Sequence, residues 1–259
     1  TNSIKDTGFD VANSLRFNPG SSDELTRSLS SSGSATKGTY SAWIKRGNIT
    51  SGYPRIFLET QASSPANYFE IFFSVGDELQ VDCNFGGSVR AEVRTTRKFR
   101  DPSAFYHIMI SVDSTQGTAS NRIKFYVNGL QETSFATATY PGSGDNMNFN
   151  NSSGRVHIAQ SGANNQFFDG YMAEVVWVDG TALSPTDVGE FDEDSGIWKP
   201  KDVSGLTFGT NGFYLDFEDS SALGNDKAGS NNFTVNNLTA IDQSTDTCTN
   251  NFATLNPLN

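Results

Sequence analysis

Oxygen-bearing and aromatic side chains on loops are the chemistry this sequence can offer. Tyr53, Tyr140 and Phe149 stand in stretches rich in Gly, Ser and Asn, with Asn146 between the last two. Rings on loops can lie flat against the apolar face of a sugar while a neighbouring amide bonds its hydroxyls. A carbohydrate platform of Tyr53, Tyr140, Asn146 and Phe149 is one expectation. The other is that the same rings pack loops onto a core. Asp145 and Asn146 place adjacent oxygens where a hard cation such as Ca2+ could sit, and Asp113, Asp169 and Asp179 are further candidates. Asp and Asn also form turns by bonding their own backbone, which predicts no cofactor at all. The cofactor expectation is therefore none, with Ca2+ at Asp145 and Asn146 as the open alternative.

Nucleophilic chemistry has little to work with. His107 and His157 fall in strand-like runs, neither beside a Ser or Cys motif, and read as strand histidines. Cys83 and Cys248 are the only cysteines, too few for a disulfide framework or a thiolate metal site, and Cys83 reads as a buried thiol. No glycine-rich phosphate loop or EF-hand pattern occurs. The formal net charge of −11 repels phosphates, so nucleic acid is not an expected partner. Apolar runs fall short of a membrane span, so membrane insertion is not expected either.

These residues must be held by β-structure. In Phe125-Tyr-Val-Asn-Gly129 an alternating run meets the two residues that tolerate positive φ, the strongest short-range hairpin signal. The same alternation recurs from Ser14 to Asn18, Thr39 to Arg46, Arg55 to Glu59, Tyr68 to Phe73, Glu78 to Phe85 and Phe168 to Val178. Phe105 to Val112 is more continuously apolar and reads as a central strand. Val89 to Phe99 carries four basic residues and reads as an exposed, charged strand, usable as a docking edge. Trp43 and Trp177 lie on strands and are assigned to the core. A long loop spans Tyr140 to Ser153. One short helix is expected from Ser184, with Pro185 at its first position and Asp187 closing a capping box. At 259 residues, roughly 75% of the unfolded surface can be buried. A soft boundary near 196 separates a main unit, 1–195, from an extension, 196–259, that adds strands to it or links to a neighbouring subunit. An extended tail is expected over 252–259.

Ser14-Leu-Arg-Phe-Asn18, Tyr40-Ser-Ala-Trp-Ile-Lys-Arg46, Phe125-Tyr-Val-Asn-Gly129, Phe168-Asp-Gly170 with Glu174, and Leu183-Ser184 together resemble the concanavalin A-like, laminin-G-like sandwich. The resemblance implies an all-β jelly roll of two antiparallel sheets. It also implies that Asp169-Gly170 is a structural turn and that Glu174 bonds backbone within the sheet. Glycan hydrolases of this fold carry Glu, apolar, Asp, apolar, apolar, Glu on one strand as acid and nucleophile. The nearest match, Glu190-Phe-Asp-Glu-Asp-Ser195, has Ser where the second Glu is required. Asp216-Phe-Glu-Asp219 has the wrong spacing, so no catalytic residue and no enzyme is expected.

Gly212-Phe-Tyr-Leu-Asp-Phe217, the 219–232 segment and Thr247 to Leu258 resemble a segment that follows such sandwiches in structural proteins of marine tailed bacteriophages. That likeness implies a virion protein at the particle surface, a fibre, appendage or capsid decoration. Its implied partners are other virion subunits, a homo-oligomer among them, and host-surface glycan. The rival readings are a purely structural connector and, less favoured, a glycan hydrolase.

Overall fold

The computed structural model describes residues 8–49, 52–61, 64–161 and 166–250. The tail expected over 252–259 lies outside them. Among the described residues the strands are β1 (Ser14–Phe17), β2 (Glu24–Ser28), β3 (Lys37–Arg46), β4 (Arg55–Gln61), β5 (Ser64–Phe73), β6 (Glu78–Phe85), β7 (Ser88–Lys98), β8 (Tyr106–Asp113) and β9 (Ile123–Val127). They continue with β10 (Leu130–Gln131), β11 (Phe135–Thr139), β12 (Gly154–Ile158), β13 (Gly170–Asp179), β14 (Gly189–Phe191), β15 (Trp198–Pro200), β16 (Phe213–Leu215), β17 (Thr234–Asn236) and β18 (Gln243–Ser244). The first sheet runs β10-β9-β8-β3-β13-β1-β18, with β16 also on β13. The second runs β11-β7-β6-β5-β4-β12-β2-β17, and β14 pairs β15 apart from both. Every pairing is antiparallel. This is the two-layer antiparallel sandwich that the alternating runs predict.

Alternation places one side of each strand in the shared core. Tyr40, Ala42 and Ile44 of β3, with Ile108, Ile110, Val112, Ile123, Phe125 and Val127 of β8 and β9, face Phe57, Phe69, Ile71, Phe73, Leu79, Val81 and Val93 of the second sheet. All are buried, so the layers are joined by apolar contact without a covalent staple. Cys83 is a buried free thiol whose pKa burial pushes up to about 12.

The hairpin forms where the sequence places it. Asn128 (φ 48°) and Gly129 (φ 76°) make the two-residue connection between β9 and β10. The Asn128 side chain also accepts the His107 N–H at 2.8 Å. A Cβ on Gly129 would lie 2.3 Å from the Trp198 ring. Gly129→Ala therefore meets a steric clash as well as an unfavourable φ. It should cost about 1–3 kcal/mol, read as a lowered urea midpoint with unchanged slope. A variant as stable as wild type would show that Trp198 is not held against this turn.

Three local expectations are corrected. The alternation of β13 does not run its whole length: the register with β3 shifts between Ala173 and Val176, and Glu174 takes a φ of 51°. That bulge turns Val175 and Trp177 into the main core and Val176 and Val178 to the outer side. The helix expected from Ser184 is a single 3₁₀ turn, Pro185–Asp187. Its capping box closes, with the Ser184 N–H donating to Asp187 at 2.8 Å, but Gly189–Phe191 then pairs with Trp198–Pro200 and leaves no residues for a helix. The basic run around β7 is not a sheet edge. β11 pairs outside it, and Ala91, Val93 and Thr95 point inward while Arg90, Glu92 and Arg94 alternate with them on the outer side.

The two sheets differ in what lies over them. The outer side of the first sheet is closed. Met109, Val176, Val178 and Tyr214 lie under Val188, Val203 and Phe208, and Trp43 and Ala173 lie under Val11, Phe105 and Trp198. Trp177 thus lies in the main core and Trp43 in this outer layer. The strands after residue 196 join both sheets: β16 extends along β13 where β1 stops, β18 pairs β1, and β17 pairs β2. Arg27 anchors the crossing by donating to the carbonyls of Asn211 and Asn231 while lying over the Phe213 and Phe233 rings. Among the described residues, no such layer covers the outer side of the second sheet across β5, β6 and β7.

Candidate functional site

The four residues expected to form a sugar platform do not come together. Tyr53 precedes the start of β4 and is 41% exposed. Asn146 belongs to the loop that reaches the other end of β4, where Gln61 donates to the Asn148 side chain. Seven residues of strand, roughly 20 Å at the usual rise, separate the two ends. Phe149 is 1% exposed, packed edge-on against Phe69 and Trp177, and is not available to a ligand. Tyr140 is half-buried against the core. The long loop dips into the sandwich because Met147 and Phe149 are apolar enough to fill it.

The oxygens proposed for calcium are occupied by the protein's own donors. Asp145 accepts the Gly142 N–H at 2.7 Å and lies 3.6 Å from Arg90, while Asn146 accepts the Asn148 N–H. Asp113 takes Thr115, Gln116 and Lys37; Asp169 pairs with Arg16. Asp179 accepts the Ser34 and Asn211 N–H groups and the Asn150 amide. Among the described residues no three His, Cys, Asp or Glu side chains gather as a metal shell. His107 bonds Ser41 at 2.9 Å, and burial lowers its pKa to about 3, so it stays neutral.

The open side of the second sheet assembles a surface that spacing along the chain could not reveal. Glu70 pairs with Asp82, and Asp82 with Glu92, so three carboxylates stand directly opposite one another across β5, β6 and β7. Like charges so placed cost stability, which makes the row a feature the fold tolerates against its own interest. Tyr68 and Asn84 face each other on one side of it; Phe72 and Gln80 do so on the other, with Arg94 beyond. Arg55 forks onto Glu70 at 2.8 and 3.0 Å, lies 4.3 Å above the Phe72 ring and holds the Tyr53 carbonyl. Tyr53 itself leans edge-on against Phe72. Tyr53 is thus on this surface, the single member of the expected platform that is.

Burial pushes the Asp82 carboxyl up to about 6, reinforced by Glu70 and Glu92 and opposed by Gln80, which donates to it at 2.8 Å. Burial raises Glu70 as well, against the pull of Arg55. Among the described residues, Glu92 has no hydrogen-bond or ion-pair partner. A row of acceptors with spare lone pairs, flanked by the half-buried Tyr68 and Asn84 and the exposed Tyr53, is equipped to receive the hydroxyl donors of a polyol and the apolar face of its ring. It is less suited to hydrolysis, because Glu70 is neutralised by its fork with Arg55 and not free to act as a nucleophile.

No curated protein matches the sequence. Among solved structures, the heptameric SAP-like pentraxin of Limulus polyphemus aligns with a TM-score of 0.48 and 16% identity, over 69% of this chain and 81% of that one. A mutant of the NanB sialidase from Streptococcus pneumoniae aligns at 0.49 and 16%, over 82% of this chain but only 30% of the sialidase. The sialidase CBM40 of Ruminococcus gnavus aligns at 0.43 and 10%, over 68% and 94%. A family model described as the concanavalin A-like lectin/glucanases superfamily matches residues 19–189, well over half of the sequence. The chain belongs to that superfamily.

Proposed function

We propose that this protein is a virion structural protein of a tailed bacteriophage whose sandwich binds host-surface carbohydrate without cleaving it. The observation that carries the binding half is the contrast between the two outer sides. One is sealed by the 188–208 segment, and the other presents Tyr53, Tyr68, Asp82, Asn84 and Glu92. The virion half is supported by the resemblance of the 212–217, 219–232 and 247–258 segments to those of phage structural proteins. In this reading the partners are other virion subunits, including further copies of the chain. A single open surface of this kind binds weakly, and repetition on a particle raises avidity by a factor of about 10²–10⁴.

The test is a glycan array probed with the multimerised full chain. Binding to a defined subset of glycans is expected, with Glu92→Ala and Tyr53→Ala each losing about tenfold, or ~1.4 kcal/mol. No binding to any glycan would leave a connector that contacts only virion subunits. Release of reducing ends from a bound glycan would overturn the non-catalytic assignment.

A further inference from the structure

A second polar cleft lies on the opposite side of the molecule, where the cover over the first sheet ends. Its volume is about 190 Å³, lined by Ser111 and Asp113 of β8, Lys124 and Tyr126 of β9, and Gln116 and Asn121 of the intervening loop, with the 182–184 backbone closing one wall. Sites for drug-sized ligands run to roughly 300–1,000 Å³. This one therefore has room for a single sugar unit and not for a chain.

Its walls are set before any ligand arrives. Ser111 donates to the Leu183 carbonyl at 3.0 Å, and Thr39 holds the same loop by donating to the Thr181 carbonyl and accepting the Leu183 N–H. Arg122 spends its donors on the carbonyls of Gln116, Gly117 and Pro141, fixing the opposite loop. A pre-formed pocket spares the ordering cost that otherwise subtracts from affinity.

What remains unengaged decides the ligand. Asp113 is already supplied with donors by Thr115, Gln116 and Lys37 at 2.5 to 3.3 Å. Among the described residues, the Lys124 ammonium, the Asn121 amide and the Tyr126 hydroxyl have no hydrogen-bond or ion-pair partner. The cleft therefore offers spare donors, one of them cationic, beside a half-buried ring. We propose that it binds one pyranose carrying a carboxylate, a uronic-type acidic sugar. The carboxylate meets Lys124, ring hydroxyls meet Asn121 and the Tyr126 hydroxyl, and the apolar face of the sugar rests on the Tyr126 ring.

Titration of the full chain with glucuronate, glucose and inorganic phosphate, followed by ligand-observed NMR, tests this. Glucuronate should bind at least tenfold more tightly than glucose or phosphate. Lys124→Gln should remove that preference and Asn121→Ala should weaken glucuronate several-fold, both with unchanged unfolding midpoints. Tyr126→Ala is less informative because that ring also packs on the outer apolar layer. Glu92→Ala, on the far side, should leave glucuronate binding intact, so failure of the open-surface reading and failure of this one are distinguishable. Equal binding of glucose or phosphate, no effect of Lys124→Gln, or loss of glucuronate binding in Glu92→Ala would each overturn the assignment.

Discussion

Trp177→Ala should lower the unfolding free energy by about 5 kcal/mol, enough to leave a protein of ordinary stability close to half unfolded. The indole stacks on Phe57 with ring centres 5.1 Å apart, meets Phe149 edge-on at 5.1 Å and lies near Phe69, so its loss opens a cavity among rings that cannot collapse inward. It also donates Nε1–H to Asn150 at 2.8 Å, and Asn150 in turn donates to Asp179 and to the Ser34 carbonyl. Truncation therefore orphans a buried amide that ties two loops to the sheet, adding roughly 1–2 kcal/mol to the cavity cost. Trp177→Phe keeps much of the volume and should show the hydrogen-bond share alone. Urea denaturation separates the two, and a cost below about 2 kcal/mol for the alanine variant would mean that this aromatic cluster is not the centre of the core.

The second large effect is a dependence of stability on pH with an unusual sign. Burial pushes the Glu174 carboxyl up to about 8, helped by Asp216, Glu218 and Asp202 and opposed by the Tyr214 hydroxyl, which donates to it at 2.6 Å. Its ordinary value is 4.5, so the native state holds this proton more tightly than the unfolded chain does. The contribution is fully present below pH 4.5 and is lost as pH rises through 8, on the order of 5 kcal/mol. Glu59, raised by burial to about 7, acts in the same sense over a narrower window. Glu78, held down to about 2 chiefly by its bond from Ser74, acts in the opposite sense and only below pH 4.5. Stability should therefore peak near pH 5 and decline toward pH 8. Glu174→Gln should flatten the decline. A wild-type curve that rises from pH 5 to 8, or a variant that retains the decline, would remove Glu174 as its cause.

The layer structure was legible in the sequence because a period of two has one physical meaning: one side of the strand is buried. Phe125, Val127, Tyr40 and Ile44 are where that rule sends them. It failed on β13, where the bulge at Glu174 reverses which residues face inward, because no local composition announces a positive φ at a glutamate. Loops defeated it differently. Phe149 looked exposed because its neighbours are polar, yet apolar transfer energy draws a single ring inward whatever surrounds it in the chain. The open surface was invisible for a third reason. Glu70, Asp82 and Glu92 are unremarkable one at a time and become a row only when the register of β5, β6 and β7 is fixed, which depends on bulges and turn lengths.

The crossing of the 213–244 region between the two layers has a consequence for biosynthesis. Because β16 and β18 complete one layer and β17 the other, a nascent chain lacks its last strand neighbour on the second layer until residue 236, and on the first until residue 244, has left the ribosome. Until residue 214 has emerged, Val176 and Val178 lack the outer cover formed with Phe208 and Tyr214, which leaves an adhesive apolar surface on the growing chain.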